Sequence, residues 1–474
     1  MSNAKQPQYE PVDGSPVKSF FVEMLTRDIK LEEAILDLLD NCVDGIVRTN
    51  RQTGKKPYQG FRADIRFKKD LFEITDNCGG IPWGLHEYAF RLGRPKDRPA
   101  DSKETVGVYG IGMKRAIFKL GKHCVLSTQN GTACYEVEIK PEWIADEVSD
   151  EKWDIPVRAA KRTMKRDGTS IVIGSLNPNV ENIFSTNAQS FETTLRKMIS
   201  EHYAFIIDKG FVVGINGKIV EPRPTQLIFN KNPGPGKGSG IRPFIFKTDH
   251  DGVEVFLTVG FTRPLPSQKE IDEEQEKTQY SSMGAGWTVL CNDRAVLYCD
   301  RSILTGWGEA GIPNYHTQFI AISGIVEFKA KEAWKLPTTT TKRGIEASSQ
   351  LYIKVKNKMR EGMRLFIDYT NKWKGLAEES ERHMKAGQRL SFDEIKTEAK
   401  SLKFTTTQKS SIEGSQFKPE LPTPKKLDSK VRRISFTRGV EEIETVAEYL
   451  FDDIYAEPST VGEKCFEMIL KKSK

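Results

Sequence analysis

Three segments near the start of the chain carry groups that can do chemistry. In EAILDLLDNCVDG, Glu33, Asp37 and Asn41 lie four residues apart, one turn above another on a single helix face. Leu36, Leu39 and Val43 take the opposite side, suited to packing on a sheet. A carboxylate, carboxylate, carboxamide stripe is what a solvated helix face looks like. It is also what a hydrated Mg²⁺ carrying a polyphosphate needs, because Mg²⁺ takes one or two protein oxygens and keeps its other positions for water and phosphate. In ITDNCGGIP a strand ends at Asp76 and runs into a Gly-Gly turn. An aspartate there can accept from an exocyclic amine such as adenine N6, and the glycines leave room for a flat ring to approach the backbone. In GVYGIGMK, Gly107, Gly110 and Gly112 precede a helix start, with Lys114 in its first turn. Backbone N–H groups at such a start, with the helix dipole behind them, attract phosphate. The P-loop pattern GxxxxGK[ST] is absent.

The elements needed to position these groups follow from periodicity. Leu31 to Val47 has helical spacing. FRADIRF and LFEITD alternate as strands, the polar stretch 91–106 separates them from the helix KRAIFKLG, and HCVLSTQ, ACYEVEI and TSIVIGS read as three more strands. Residues 1–20 read as an irregular arm, and a first domain closes at 178. A second α/β domain, 179–346, starts with SFETTLRKMISEHYAFI and FVVGINGK, continues through EVFLTVGF, a polar loop at 265–282, GWTVLCNDRAVLY and ISGIVEFK, and ends at LPTTTTKRGIE. A helical segment covers 347–400, a Ser/Thr/Pro/Lys-rich linker 401–435, and a helical end 436–474.

The chain has 474 residues, 38% hydrophobic and 29% charged, enough for several packed cores. Its 72 Lys and Arg against 65 Asp and Glu give +7, which permits a nucleic-acid partner without requiring one. No apolar run approaches the ~20 residues of a membrane span, and the opening MSNAKQPQYE has no signal-peptide pattern. Seven cysteines without CxxC spacing read as reduced thiols in a cytoplasmic protein.

The set EAILDLLDNCVDG, TDNCGGI, GVYGIGMK and RDGTSIVI resembles the nucleotide-binding motifs of the GHKL ATPases, which include gyrase B, large heat-shock chaperones, histidine kinases, MutL and MORC proteins. The resemblance covers about residues 30–175 and is nearest to MORC-like and chaperone-like forms. It implies an α+β chain: a Bergerat-type sandwich, a mixed sheet with helices on one face, followed by a β-α-β transducer-like domain and a mainly helical C-terminal region. It implies ATP and Mg²⁺ as cofactors, with Asn41 matching the metal-binding asparagine and Asp76 the adenine reader. Gly80 and Ile81 fall in the adenine turn, where Cys78 replaces a usual glycine and Ile81 a usual methionine. Gly107, Val108, Tyr109, Gly110, Ile111, Gly112, Met113 and Lys114 match the phosphate loop, 91–106 the ATP lid, and Gly168 and Thr169 the Gly-Thr strand. The general base falls on Asp37, shorter by one methylene than the usual Glu, with Glu33 one turn back. Lys342 in TTTTKRG matches the transducer lysine that meets the γ-phosphate. The implied protein is an ATP hydrolase closing as an ATP-dependent homodimer on a DNA or protein client, away from membranes. A nucleotide-gated binding module with negligible turnover is the alternative that Asp37 favours. A histidine kinase fits poorly, because His383 follows the ATPase motifs instead of preceding them. DHDG at 249–252 superficially resembles a topoisomerase carboxylate cluster but reads more simply as a turn.

Overall fold

The computed structural model describes residues 17–49, 54, 56–91, 110–144, 153–232, 240–276, 284–339, 342, 344–407, 412–424, 434 and 436–473. The arm up to residue 16, the stretch 92–106, and Gly107, Val108 and Tyr109 lie outside them. The chain divides into two compact units, Met1–Thr423 and Pro424–Lys474.

The larger unit opens with helices α1 (Lys18–Arg27) and α2 (Leu31–Thr49). A hairpin of β1 (Arg62–Lys68) and β2 (Leu71–Asp76) follows, then the helices α3 (His86–Phe90) and α4 (Gly112–Leu120). Next come β3 (Gly121–Asn130), β4 (Ala133–Ile139), the short α5 (Pro141–Ile144), β5 (Val157–Ala159) and β6 (Gly168–Leu176). Three helices, α6 (Pro178–Thr186), α7 (Ala188–His202) and α8 (Ala204–Asp208), precede β7 (Val212–Ile215) and β8 (Lys218–Ile219). The strands form one mixed sheet, ordered β5-β4-β3-β6-β2-β1-β7-β8, with β1 and β7 its only parallel pair among the described residues. Ala63, Ile65, Phe72, Ile74, Leu126, Ile171 and Ile173 are buried, while the residues between them are more open, so one sheet face carries the core. Leu36, Leu39 and Val43 of α2 pack into that core, as the helical spacing predicts.

The boundary read at residue 178 is displaced by this topology. The segment 179–220, expected to open the second domain, supplies Phe184, Leu195, Ile199, Val213 and Ile215 to the first core. Its strand β7 pairs with β1, Ile65 against Ile215, and so covers what would be an open edge buried on one face. Sequence spacing identifies a helix and a strand here but not which sheet they join.

The second sheet is built from β10 (Phe244–His250), β11 (Val253–Phe261), β12 (Gly286–Cys291), β13 (Arg294–Asp300), β14 (Ile322–Ala330), β16 (Thr405–Thr406) and β17 (Ser415–Phe417). Their order is β13-β12-β14-β11-β10-β17-β16, and a separate pair joins β9 (Leu227–Phe229) to β15 (Gln388–Leu390). The polar loop expected at 265–282 contains the helix α9 (Gln268–Glu276). The helices α10 (Gln350–Lys372), α11 (Ala377–Lys385) and α12 (Phe392–Glu398) follow, with Tyr352, Val355, Met359, Met363 and Phe366 of α10 buried in the second core. The linker expected at 401–435 is a linker only in part: β17 pairs with β10 and closes an edge. Its polar composition suits an outer strand, which needs backbone partners more than apolar side chains. In the smaller unit, α13 (Val440–Phe451) and α14 (Pro458–Lys472) are the expected terminal helices.

Ile215→Ala tests the extended first domain. Deleting a fully buried side chain should cost about 2–5 kcal/mol in urea unfolding. A loss within about 0.5 kcal/mol, the scale of a surface change, would place β7 outside the core.

Candidate functional site

The site forms where α2 meets the turn after β2 and the start of α4. Asp76, the last residue of β2, accepts from the backbone N–H of Cys78 at 2.7 Å and of Thr169 at 3.3 Å, both on Oδ1. Its Oδ2 accepts a weak bond from the Cys42 thiol at 3.4 Å, and the Cys78 thiol also interacts with the carboxylate. Burial pushes the Asp76 pKa up, and the Cys78 amide and Cys42 thiol oppose that rise. Asp76 is thus a desolvated carboxylate with its second oxygen lightly used, suited to an incoming N–H donor.

The turn that follows is fastened at every residue. Gly79 O accepts from Asn130 Nδ2 at 2.7 Å, Gly80 O from Arg48 Nη2 at 3.2 Å, and Ile81 O from the Tyr135 hydroxyl at 3.1 Å. Ile81 N donates to Thr128 Oγ1 at 2.9 Å, and Thr128 lies 3.1 Å from the Thr169 hydroxyl. These holders were not visible in the sequence, since each acts from a distant strand or helix without a local pattern. The glycines also serve a different purpose from the one expected. A Cβ on Gly80 would stand 1.9 Å from Gln129 O, and one on Gly79 would stand 2.3 Å from Thr49 Cγ2. Protein neighbours, not only a ligand, require the space.

At the other end of the site, no side chain among the described residues caps the N-terminus of α4, which begins at Gly112 after Ile111. Gly110 has φ +68°, a left-handed turn into the helix that favours glycine. Met113 is buried, and the Lys114 ammonium donates to Ala89 O at 2.8 Å and to Gly110 O. The lysine expected to meet phosphate is therefore engaged with the backbone of α3 and of its own loop. Arg115, which the motif reading passed over, donates to Asp37 Oδ2 at 2.6 Å and ties α4 to α2. Gly112 lies against the same carboxylate. Glu33 sits at the start of α2, accepting from Lys30 N at 3.2 Å.

Between these ends, Asn41 has a buried Nδ2 with no hydrogen-bond partner among the described residues. A buried amide left unpaired is costly unless a ligand completes it. Its oxygen is of the hard type Mg²⁺ takes, and its N–H₂ can donate to a phosphate oxygen. Among the described residues no cluster of three His, Cys, Asp or Glu could hold a metal.

The next residue back, Asp40, was not among the expected site residues, yet it has three side-chain partners among the described residues. It is 1% exposed and accepts from the Tyr203 hydroxyl at 2.6 Å, Arg294 Nε at 2.9 Å and Lys342 Nζ at 3.1 Å. Burial works to raise its pKa, but Lys342 and Arg294, with the Tyr203 hydrogen bond, overcome that and hold it well below the usual carboxylate range. Its stabilising contribution is therefore complete above the unfolded pKa of about 3.9 and is lost as pH falls through the lower folded value. Lys342 is brought to α2 from the second sheet domain, one residue from Asn41.

Residues 29–166 match the family model described as Histidine kinase-, DNA gyrase B-, and HSP90-like ATPase. No curated protein matches the chain. The matched span includes α2, the Asp76 turn and the start of α4, and stops short of Thr169. It supports a GHKL-type ATPase domain in this part of the chain, whose fold is the expected α/β sandwich with a mixed sheet.

Asp76→Asn separates recognition from stability. The amide oxygen keeps the acceptor for Cys78 and Thr169, while the amide N–H₂ faces the ligand in place of Oδ2. ATP affinity measured by calorimetry should fall at least about tenfold, the equivalent of 1.5–3 kcal/mol, without loss of thermal stability. Unchanged affinity would remove Asp76 from the recognition site.

Proposed function

We propose that this chain is a Mg-dependent ATPase that converts ATP to ADP and phosphate and works as a nucleotide-gated dimeric clamp, MORC-like or chaperone-like in kind. The observation that carries this reading is the contact of Lys342 with Asp40 on α2, the residue before Asn41, whose Nδ2 has no partner among the described residues. It brings a cation from the second domain to the end of the site where phosphate and metal would lie. Asp76 would bind the adenine amino group through Oδ2, with Ile81 and the Gly80 turn beside it. Asn41 would hold Mg²⁺, whose charge, when bound, stabilises the transferring phosphate. The loop Gly107 to Lys114 would supply backbone donors to the phosphates, and Thr169 would keep Asp76 oriented.

Asp37 would take the proton of the attacking water, with Glu33 in a secondary role. It lies one turn from Asn41, whereas Glu33 is two turns away and engaged at the helix start. The Asp37–Arg115 pair must open or share its carboxylate with the water for this, because Arg115 already holds Oδ2 at 2.6 Å. That pair favours the second reading, a module that holds ATP, turns it over negligibly and engages a DNA or protein partner. Comparing single-turnover with steady-state ADP production separates the two. Dimer closure is supported by α1, whose Phe20 and Met24 are both 58% exposed. No helix among the described residues is long and apolar enough to cross a membrane.

Asn41→Ala should abolish Mg-dependent ATP binding. Asp37→Ala should keep binding and lose turnover by about 10²–10⁴-fold. Loss of hydrolysis in Glu33→Ala but not in Asp37→Ala would move the base to Glu33. Light scattering with a non-hydrolysable ATP analogue should show a monomer becoming a dimer. A chain that stays monomeric at saturating analogue would leave a nucleotide pocket without a clamp.

A further inference from the structure

We propose that Asp40 is the holding site of Lys342, from which the γ-phosphate of ATP takes the lysine when nucleotide is bound. The proposal rests on the ATP reading above and adds a positioning residue to it.

The two oxygens of Asp40 serve different partners. Oδ1 takes both Arg294 Nε and the Tyr203 hydroxyl. These donors are fixed: Arg294 is 1% exposed, donates also to Ala295 O at 2.7 Å, and lies 4.4 Å over the Tyr203 ring. Oδ2 takes Lys342. That lysine belongs to a turn, its N–H on Thr339 O at 2.9 Å, and its backbone has φ +55°, a conformation costly for a residue with a side chain. Lys342 can therefore leave while Asp40 keeps a cation and a hydroxyl.

Among the described residues Asp40 faces two cations, Arg294 and Lys342, so losing one leaves the carboxylate still paired. Asn41, the next residue along α2, has an Nδ2 with no partner among the described residues and offers a donor to the γ-phosphate. ADP lacks the γ-phosphate, so only ATP makes the differential contact that draws the lysine away. Asp40 touches no nucleotide in this scheme; it sets how strongly the γ-phosphate must compete.

The test uses the whole chain with Lys342→Met, Asp40→Asn and the double variant, read by thermal melting and by the affinities of ADP and a non-hydrolysable ATP analogue. Lys342→Met should lower the melting temperature without nucleotide, leave ADP affinity unchanged, and lose about fivefold or more of the preference for the analogue. Asp40→Asn should raise that preference by a similar factor, and the double variant should behave as Lys342→Met alone. Reduced or unchanged preference in Asp40→Asn overturns the proposal. Should that variant not fold, Lys342→Met decides: an unaltered melting temperature without nucleotide means no holding contact and overturns it equally. Wild type binding both nucleotides equally removes the exchange but leaves the pocket. Wild type binding neither overturns the ATP reading and this proposal together.

Discussion

A single buried carboxylate, Asp40, ties the nucleotide domain to the domain that follows it. Its burial would be prohibitive alone, since an unpaired charge in a protein interior costs several kcal/mol. Three donors from three parts of the chain make it tolerable: Tyr203, Arg294 and Lys342. The helix carrying Asp40 also carries Asp37 and Asn41, and its apolar side lies in the first core. The position of α2 is thus set on one side by hydrophobic packing and on the other by charge pairing with the second domain.

The same seam is reinforced at the β12–β13 turn. Asn292 and Asp293 have positive φ values of 47° and 69°, the geometry of a tight hairpin. Asp293 accepts from Lys209 at 2.6 Å and from the Tyr58 hydroxyl at 2.8 Å, while its neighbour Arg294 reaches Asp40. A small apolar cluster of Ala204, Phe205, Leu290, Ala295, Ile325 and Phe392 lies in the same region. The hairpin tip grips the first domain through both charges and packing, so the contact is specific in orientation as well as favourable.

Local chemistry was legible in the sequence, and long-range chemistry was not. The α2 stripe, the Asp76 turn and the helix after Gly112 each lie within a dozen or so residues, where periodicity and turn chemistry operate, and each was found. Asp40 stands beside Asn41 but reads as one more polar helix residue until partners 163, 254 and 302 positions away are known. Arg115 was likewise not singled out, because its pairing with Asp37 depends on how α4 packs against α2. Strand membership failed for a related reason: β7 and β17 were recognisable or permissible as strands, but sheet edges choose partners by geometry that no local pattern records. Lys342 was named from resemblance, and its contact with Asp40 comes from the packing of the two domains.

The separations around Asp40 carry a consequence for how this protein is made. Synthesis runs from the N-terminus, and α2 emerges long before either of the cations that neutralise it. Tyr203 arrives first, bringing a hydroxyl but no charge; Arg294 follows, and Lys342 comes last. Until then the carboxylate is better hydrated than buried, which opposes the final docking of α2 on that side. Contacts of this range are slow to form, because the entropy of closing the intervening chain is lost before they return anything. The surroundings of Asp40 and the second sheet therefore complete their folding together, and a nascent chain cannot finish this end of α2 before residue 342 has emerged.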